Sequence, residues 1–272
     1  MAEAAVKRTS GRGKFITFEG GEGSGKSTQI KKLAERLDAA KLRAIVTREP
    51  GGSPGAEIIR HLLLSGMGKL LGPEAETLLF AAARDDHVRS VILPALNQGI
   101  WVLCDRFSDS TRAYQGRLGK VAPAVLNAME RVTIGDLKPD LTIILDVPVE
   151  VGMQRAAKRR GTGAPDRFEA EDVRFHQELR DAYRQIAAAE LPQDPGQRAE
   201  VVLVPVRDDD RLDVLRALAQ IGEVGQDQVD ADHLRSGEAK PHIHHHYPAV
   251  VLDDGHVLAY LPQAPQGKHA QP

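Results

Sequence analysis

The run Gly20-Gly21-Glu22-Gly23-Ser24-Gly25-Lys26-Ser27-Thr28 places glycines, one lysine and three hydroxyls around the order G-x-x-x-x-G-K-S, which is chemistry for holding phosphate. Successive glycines let backbone N–H groups converge on phosphate oxygens without Cβ interference, and a helix starting at about Gly25 aims its positive dipole end at the same point. Lys26 then supplies a mobile point charge for the β- and γ-phosphates of a nucleotide, and the Ser27 hydroxyl is the expected Mg²⁺ ligand. The alternative is a glycine-rich turn with no ligand. Context argues against it, because an apolar β-run, residues 15–19, enters the loop and residues 29–37 leave it with apolar side chains at helical spacing.

A second constellation follows. Thr47-Arg48-Glu49-Pro50-Gly51-Gly52 suits a rigid turn that offers charge and backbone donors to a second phosphate. Asp105-Arg106 ends the apolar run Trp101-Val102-Leu103-Cys104, where an acidic residue can organise Mg²⁺ and the arginine can neutralise a transferred phosphoryl group; a structural ion pair is the other reading. Phe80 and Arg84 are four apart in a helical pattern and so share a face. A stacking surface beside a planar donor is what a nucleobase pocket needs, although a core phenylalanine beside a surface arginine would give the same spacing.

These residues need a frame, and the frame is legible in the periodicity. Apolar runs at 15–19, 43–47, 100–105, 141–146 and 201–204 alternate with helical patterns at 54–65, 74–97, 123–134, 149–159, 170–189 and 211–221. The pattern predicts an α/β fold, a doubly wound five-stranded parallel sheet. Ligands in such sheets bind outside the carboxyl ends of the strands, and here those ends carry Glu19, Arg48-Glu49, Asp105-Arg106 and Asp146, which should converge on one crevice.

Composition narrows the function classes. A net charge of −2 leaves no bulk electrostatic footprint for nucleic acid or an anionic membrane. Cys104 is the single cysteine, so no intramolecular disulfide forms, and its place in an apolar run predicts a buried thiol. Residues 1–13 are expected to form a basic, disordered tail with no apolar leader, and no run of about 18 apolar residues occurs, so the expected location is cytoplasmic. Residues 14–221 read as one domain and 222–272 as an extension: a polar linker, a histidine run (His242, His244, His245, His246) and a β-hairpin around Asp253-Asp254-Gly255. The histidines read as a solvated run or as ligands to a transition metal.

Taken in this order, the motifs resemble the thymidylate kinases, a family of P-loop nucleoside-monophosphate kinases. The resemblance covers residues 14–220 and is carried by 19–28, 47–52, 80–84, 105–116 and 166–169. It implies ATP and Mg²⁺ on the phosphate loop, residues 20–28, and dTMP as the small-molecule acceptor. Arg48 and Arg106 would hold the acceptor phosphate, Phe80 would stack on thymine, and Arg84 would hydrogen-bond its carbonyl edge. Glu22 would meet the deoxyribose 3′-hydroxyl, Ser110 and Thr111 would lie near the base, and Tyr114 would fill the space of a ribose 2′-hydroxyl. Gly23 stands where some members carry a loop arginine. The cations Arg155, Lys158, Arg159 and Arg160 instead lead into a lid at 161–169, which is similar to the bacterial lid-basic type, with Arg160 the first choice for a transition-state arginine. Phe107 departs from the tyrosine or histidine frequent in relatives. The resemblance also implies a homodimer, to which Ile58, Ile59, Leu62 and Leu63 would contribute unless they simply pack on the sheet. A kinase for another nucleoside monophosphate, or an ATP-binding protein whose histidine run carries metal, are the competing readings; a switch GTPase lacks its N-K-x-D guanine motif here.

Overall fold

The computed structural model describes residues 11–65, 67–189, 201–206, 250–253 and 256–259. Five parallel strands, β1 (Phe15–Glu19), β2 (Ala44–Arg48), β3 (Trp101–Asp105), β4 (Leu141–Asp146) and β5 (Val201–Pro205), form one sheet in the order β2-β3-β1-β4-β5. The strands lie within one residue of the positions read from the sequence. Helices α1 (Lys26–Ala39), α2 (Pro54–Leu64), α3 (Pro73–His87), α4 (Leu93–Asn97), α5 (Ser108–Thr111), α6 (Pro123–Thr133), α7 (Val149–Arg160) and α8 (Val173–Ala189) supply the crossovers. A 3₁₀ turn, Met67–Leu71, joins α2 to α3.

The sheet is apolar on both faces because both are covered, the condition parallel strands require. Ile16, Phe18, Leu103, Ile143 and Leu145 pack with Ile30, Leu33 and Leu37 of α1 in one cluster. Phe15, Val102 and Cys104, alternate along their strands with that set, pack with Val88, Ile92 and Leu96 in another. Burial raises the Cys104 thiol well above its ordinary range, which leaves it inert.

The single helical pattern at 74–97 is one continuous run with a widened π turn, Val88–Ile92, between α3 and α4. Pro94 explains the turn: it has no N–H for the preceding carbonyl ladder, and a local bulge absorbs the loss. A second π segment, Arg112–Leu118, extends α5, and the sequence pattern gave no sign of this helix because 108–118 has no apolar stripe.

Register decides what the strand ends can do. Arg48 and Phe18 both pair with Asp105, so Glu19, Glu49 and Arg106 emerge side by side at the carboxyl edge. Asp146 ends β4 differently. Its carboxylate is taken by Arg180 (2.6 and 3.0 Å) and Arg184 (3.1 Å) of α8, and it faces a small cavity behind the phosphate loop instead of the shared crevice. Strands β6 (Val250–Asp253) and β7 (His256–Ala259) pair antiparallel at the predicted hairpin. The predicted helix at 211–221, the linker and the histidine run lie outside the described residues.

Candidate active site

The strand ends open into a cleft of about 580 Å³, a size suited to a nucleotide-scale ligand. Its floor is the loop between β1 and α1. Gly23 has φ +66°, and a Cβ there would come 2.0 Å from the Gly152 carbonyl oxygen, so this turn of the loop fits under α7 only without a side chain. Residues 22–28 line the cleft, while Gly20 and Gly21 border the small cavity behind it.

Lys26 is folded back onto the loop, its Nζ donating to the carbonyls of Gly20 (3.0 Å) and Gly21 (2.9 Å). Burial, and then the Arg106 cation, lower its pKa to about 8. Ser27 Oγ donates to Asp105 Oδ2 at 3.0 Å, which brings the two sequence-predicted metal ligands together at the mouth of the loop.

Arg106 is the centre of the polar network. Its backbone has φ +75°, uncommon for a side-chain-bearing residue, and its guanidinium donates to Glu22 Oε1 (2.6 Å), the Gly20 carbonyl (3.1 Å), Tyr183 OH (3.1 Å) and Ser110 Oγ (3.3 Å). Burial alone would raise the Glu22 carboxyl; Arg106, Lys26 and Arg159 together hold it down at about 2. Glu22 therefore stays ionised between two cationic groups, Arg106 and the lid.

Beneath Arg106 lies Glu19, fully buried. Its Oε1 accepts from the backbone N–H of Phe107 (2.7 Å) and Ser110 (3.3 Å), and its Oε2 meets the hydroxyls of Ser110 (2.6 Å) and Tyr183 (3.1 Å). Burial, with the Asp109 charge, raises its pKa to about 7. A group whose pKa is higher in the folded state than its ordinary 4.5 gives stability that is full below 4.5 and is lost as pH rises through 7. Glu19→Gln keeps an acceptor for the two N–H groups and offers an amide to hydroxyls that can reverse. The variant should therefore lack this pH dependence: thermal unfolding at pH 5.5 and pH 8 should show wild type gaining on the variant at the lower pH.

Farther along, the cleft is lined by Phe80 and Arg84 of α3, on one helix face as their spacing implies, with Thr111 and Tyr114 from the α5 segment. Arg84 Nη2 donates to Thr111 Oγ1 (2.9 Å) and to the Phe107 carbonyl (3.0 Å). Phe107 itself is core: its ring packs edge-on against Phe15 and under the Arg84 guanidinium. Arg48 lines the cleft and is held by Glu57 at 2.9 Å.

The lid differs from expectation in one residue. Arg160 does not line the cleft; it donates to Glu169 Oε2 at 2.9 Å. Arg155 and Arg159 do line it, and Arg159 lies 3.8 Å from Glu22 as well as bonding Glu169. The signal was available, since residues four apart share a helix face and Arg160 sits about 100° further round. Arg60 also reaches the cleft, its Nη1 donating to the Pro50 carbonyl, and nothing in its helical context marked it out beforehand. The lid closes the remaining side through Phe168, whose ring meets Tyr114 edge-on at 5.1 Å, and through an ion pair between Arg167 and Glu76. Leu63, offered to a dimer face, is buried, whereas Ile58 is 75% exposed. Among the described residues no helix is long and apolar enough to cross a membrane.

Arg207, a candidate for contact with adenine from its place just after the fifth apolar run of the sequence, lies outside the described residues.

Comparison with known proteins agrees with the geometry. The thymidylate kinase family profile matches residues 18–192. A thymidylate kinase of Nitrobacter hamburgensis is 84% identical over 190 residues, 70% of this chain and 83% of that protein. Those of Bradyrhizobium diazoefficiens and Rhodopseudomonas palustris strain BisB18 are 78% identical over 190 residues and 73% over 191, with the same shares of each chain covered. A glycine-rich loop of phosphate-binding pattern and an arginine-lined cleft at one sheet edge, matched through most of the fold at this identity, place the chain in the thymidylate kinase family.

Proposed function

We propose that the chain transfers the γ-phosphoryl group of ATP to dTMP, giving dTDP and ADP for dTTP synthesis. One observation carries this reading: a single cleft joins the Lys26 loop to Arg48 and Arg106, with Phe80 and Arg84 beyond them. A donor triphosphate on the loop would then face an acceptor monophosphate held by guanidinium groups. In the transfer, an oxygen of the dTMP phosphate forms a bond to the γ-phosphorus as the bond to the ADP oxygen breaks. The acceptor is already anionic at neutral pH, so no strong general base is required. The task of the protein is alignment and neutralisation of charge on the equatorial oxygens, which we assign to Lys26, Arg106 and the lid cations.

The oxygen pair formed by Ser27 and Asp105 fits Mg²⁺, which takes one or two protein oxygens and completes its octahedron with water and phosphate. Bound there, Mg²⁺ would offset charge on the triphosphate. Glu22 would take the 3′-hydroxyl, Ser110 and Thr111 would border the base, and Tyr114 would oppose a ribose. Among the lid residues we assign the transition-state role to Arg155 and Arg159 ahead of Arg160. Arg159→Ala should lower kcat by about 10- to 100-fold, while Arg160→Ala should cost no more than about threefold, read from steady-state rates.

Residues 14–221 are the catalytic unit in this reading and 222–272 an extension, in keeping with relatives that align over about 190 residues. A homodimer would cover Ile58, Leu70, Leu71 and Leu78, exposed on three elements packed together: α2, the 3₁₀ turn and α3. A cytoplasmic location fits a nucleotide-metabolising enzyme with these substrates. The reaction is tested by coupled ADP release with dTMP, dUMP, dCMP, dGMP and dAMP in turn. Turnover should require a monophosphate and be fastest with dTMP; equal rates with a purine, or ADP release independent of acceptor, would remove the assignment.

A further inference from the structure

Behind the base pocket lies a buried chain of polar groups, of which Arg84 and Glu49 border the cleft while His87 and Thr47 lie behind them. Glu49 Oε2 accepts from Arg84 Nε at 2.7 Å, and its Oε1 lies 3.1 Å from His87 Nδ1. His87 Nε2 is 2.7 Å from Thr47 Oγ1. The exposures are 4% for Arg84, 5% for Glu49 and 0% for His87, so no solvent competes for these bonds. Gly52 closes over the far end: a Cβ there would stand 2.5 Å from His87 Nε2 and 2.4 Å from Thr47 Oγ1.

Chemistry fixes the direction at the Glu49 end. A carboxylate paired with a guanidinium only accepts, so Nδ1 of the ring carries the proton, and the Thr47 hydroxyl, which can donate or accept, pairs with Nε2. Each end of the imidazole is thereby tied, one to β2 and one to Glu49. The carboxylate in turn holds the Nε edge of Arg84 while Thr111 and the Phe107 carbonyl hold Nη2. A planar fork gripped at two of its three nitrogens has one orientation left, and Nη1 has no hydrogen bond to any described residue.

We propose that His87, acting through Glu49, is a positioning residue that aims Arg84 Nη1 into the base pocket and so sets the discrimination between a pyrimidine with a carbonyl at position 4 and one with an amino group there. The inference rests on the reading that Arg84 faces the carbonyl edge of thymine. A guanidinium N–H can only donate, so it rewards an acceptor at that position and leaves an amino group unpaired against it. That preference depends on direction: an Arg84 free to swing would meet solvent or the pocket wall for part of the time.

The test is the ratio of kcat/KM for dTMP to kcat/KM for dCMP at saturating ATP. His87→Leu should raise KM for dTMP about tenfold, keep kcat within about threefold and lower the ratio about tenfold, the size expected for losing one well-aimed charged hydrogen bond. His87→Asn, whose amide can still donate toward Glu49, should recover most of the ratio. Arg84→Leu should lower the ratio at least as far, and adding His87→Leu to it should change the ratio no further. If His87→Leu does not fold, Thr47→Val provides the measurement, with an expected fall of about threefold from loss of one neutral bond in the chain. A ratio kept by His87→Leu, or by Thr47→Val where that variant is needed, while Arg84→Leu loses it overturns the positioning role. A ratio kept by Arg84→Leu overturns the reading of Arg84 itself.

Discussion

Arg106→Ala should reduce kcat by about 100- to 1,000-fold while the protein still unfolds cooperatively, because the guanidinium is assigned to charge that develops during transfer. Arg106 donates to Glu22, Gly20, Ser110 and Tyr183 and so ties the phosphate loop to the segment after β3 that lines the cleft. Stability falls as well, since Glu22 loses its nearest partner, so the variant needs a control. The backbone supplies one. At φ +75° a residue with Cβ is strained and glycine is not, so Arg106→Gly should be more stable than Arg106→Ala by about 1 kcal/mol, yet equally slow. Equal rates with unequal stability would tie the loss to the missing guanidinium. Near wild-type turnover in either variant would remove Arg106 from the chemistry.

Lys26→Ala should lower kcat/KM for ATP by about 100-fold or more, and the pH profile should identify the reason. With its pKa lowered to about 8 by burial and by Arg106, Lys26 is charged below pH 8 in the free enzyme and neutral above it. Because kcat/KM reports groups of the free enzyme, wild type should lose efficiency toward ATP as pH rises through about 8. Lys26→Arg keeps a cation that does not titrate in this range. It should be slower than wild type through poorer fit, but flat across the same interval. A wild-type profile that stays level to pH 9.5 would mean that the Lys26 charge does not limit ATP capture. Initial rates at subsaturating ATP from pH 6.5 to 9.5, with dTMP saturating, decide between the two.

How much of this was legible beforehand follows from which interactions are local. The strands could be read because a parallel sheet covered on both faces demands short, continuous apolar runs, and β1 and β4 begin and end where those runs do. The phosphate loop could be read because its glycines answer a local backbone requirement. Helical spacing put Phe80 and Arg84 on one face, and both line the cleft, but only the family resemblance suggested what they would bind. The α5 segment was missed, since its helix is held by Glu19 and the core around Tyr114 and not by an amphipathic pattern of its own. Asp146 was drawn into the crevice by its strand-end position, but two arginines of α8, more than thirty residues later, take it away. Arg160 was preferred over Arg159 by its place beside the lid, where only helix phase separates them. Glu19 and Glu49 were marked only as strand-end carboxylates, and His87 carried no signature: their roles come from pairings across α3, β2 and the loop after β3, which only the assembled fold brings together.

The central requirement is that donor and acceptor phosphates meet head to head in one cleft between Lys26 and Arg106. A single molecule joining adenosine and thymidine through a chain of phosphates tests it most directly, by titration calorimetry followed by inhibition kinetics. One molecule should bind per chain and compete with both ATP and dTMP, and Lys26→Ala and Arg106→Ala should each weaken it. Binding that displaces only one of the two substrates, or two molecules bound per chain, would mean that the sites are separate and that the cleft does not bring the reacting phosphates together.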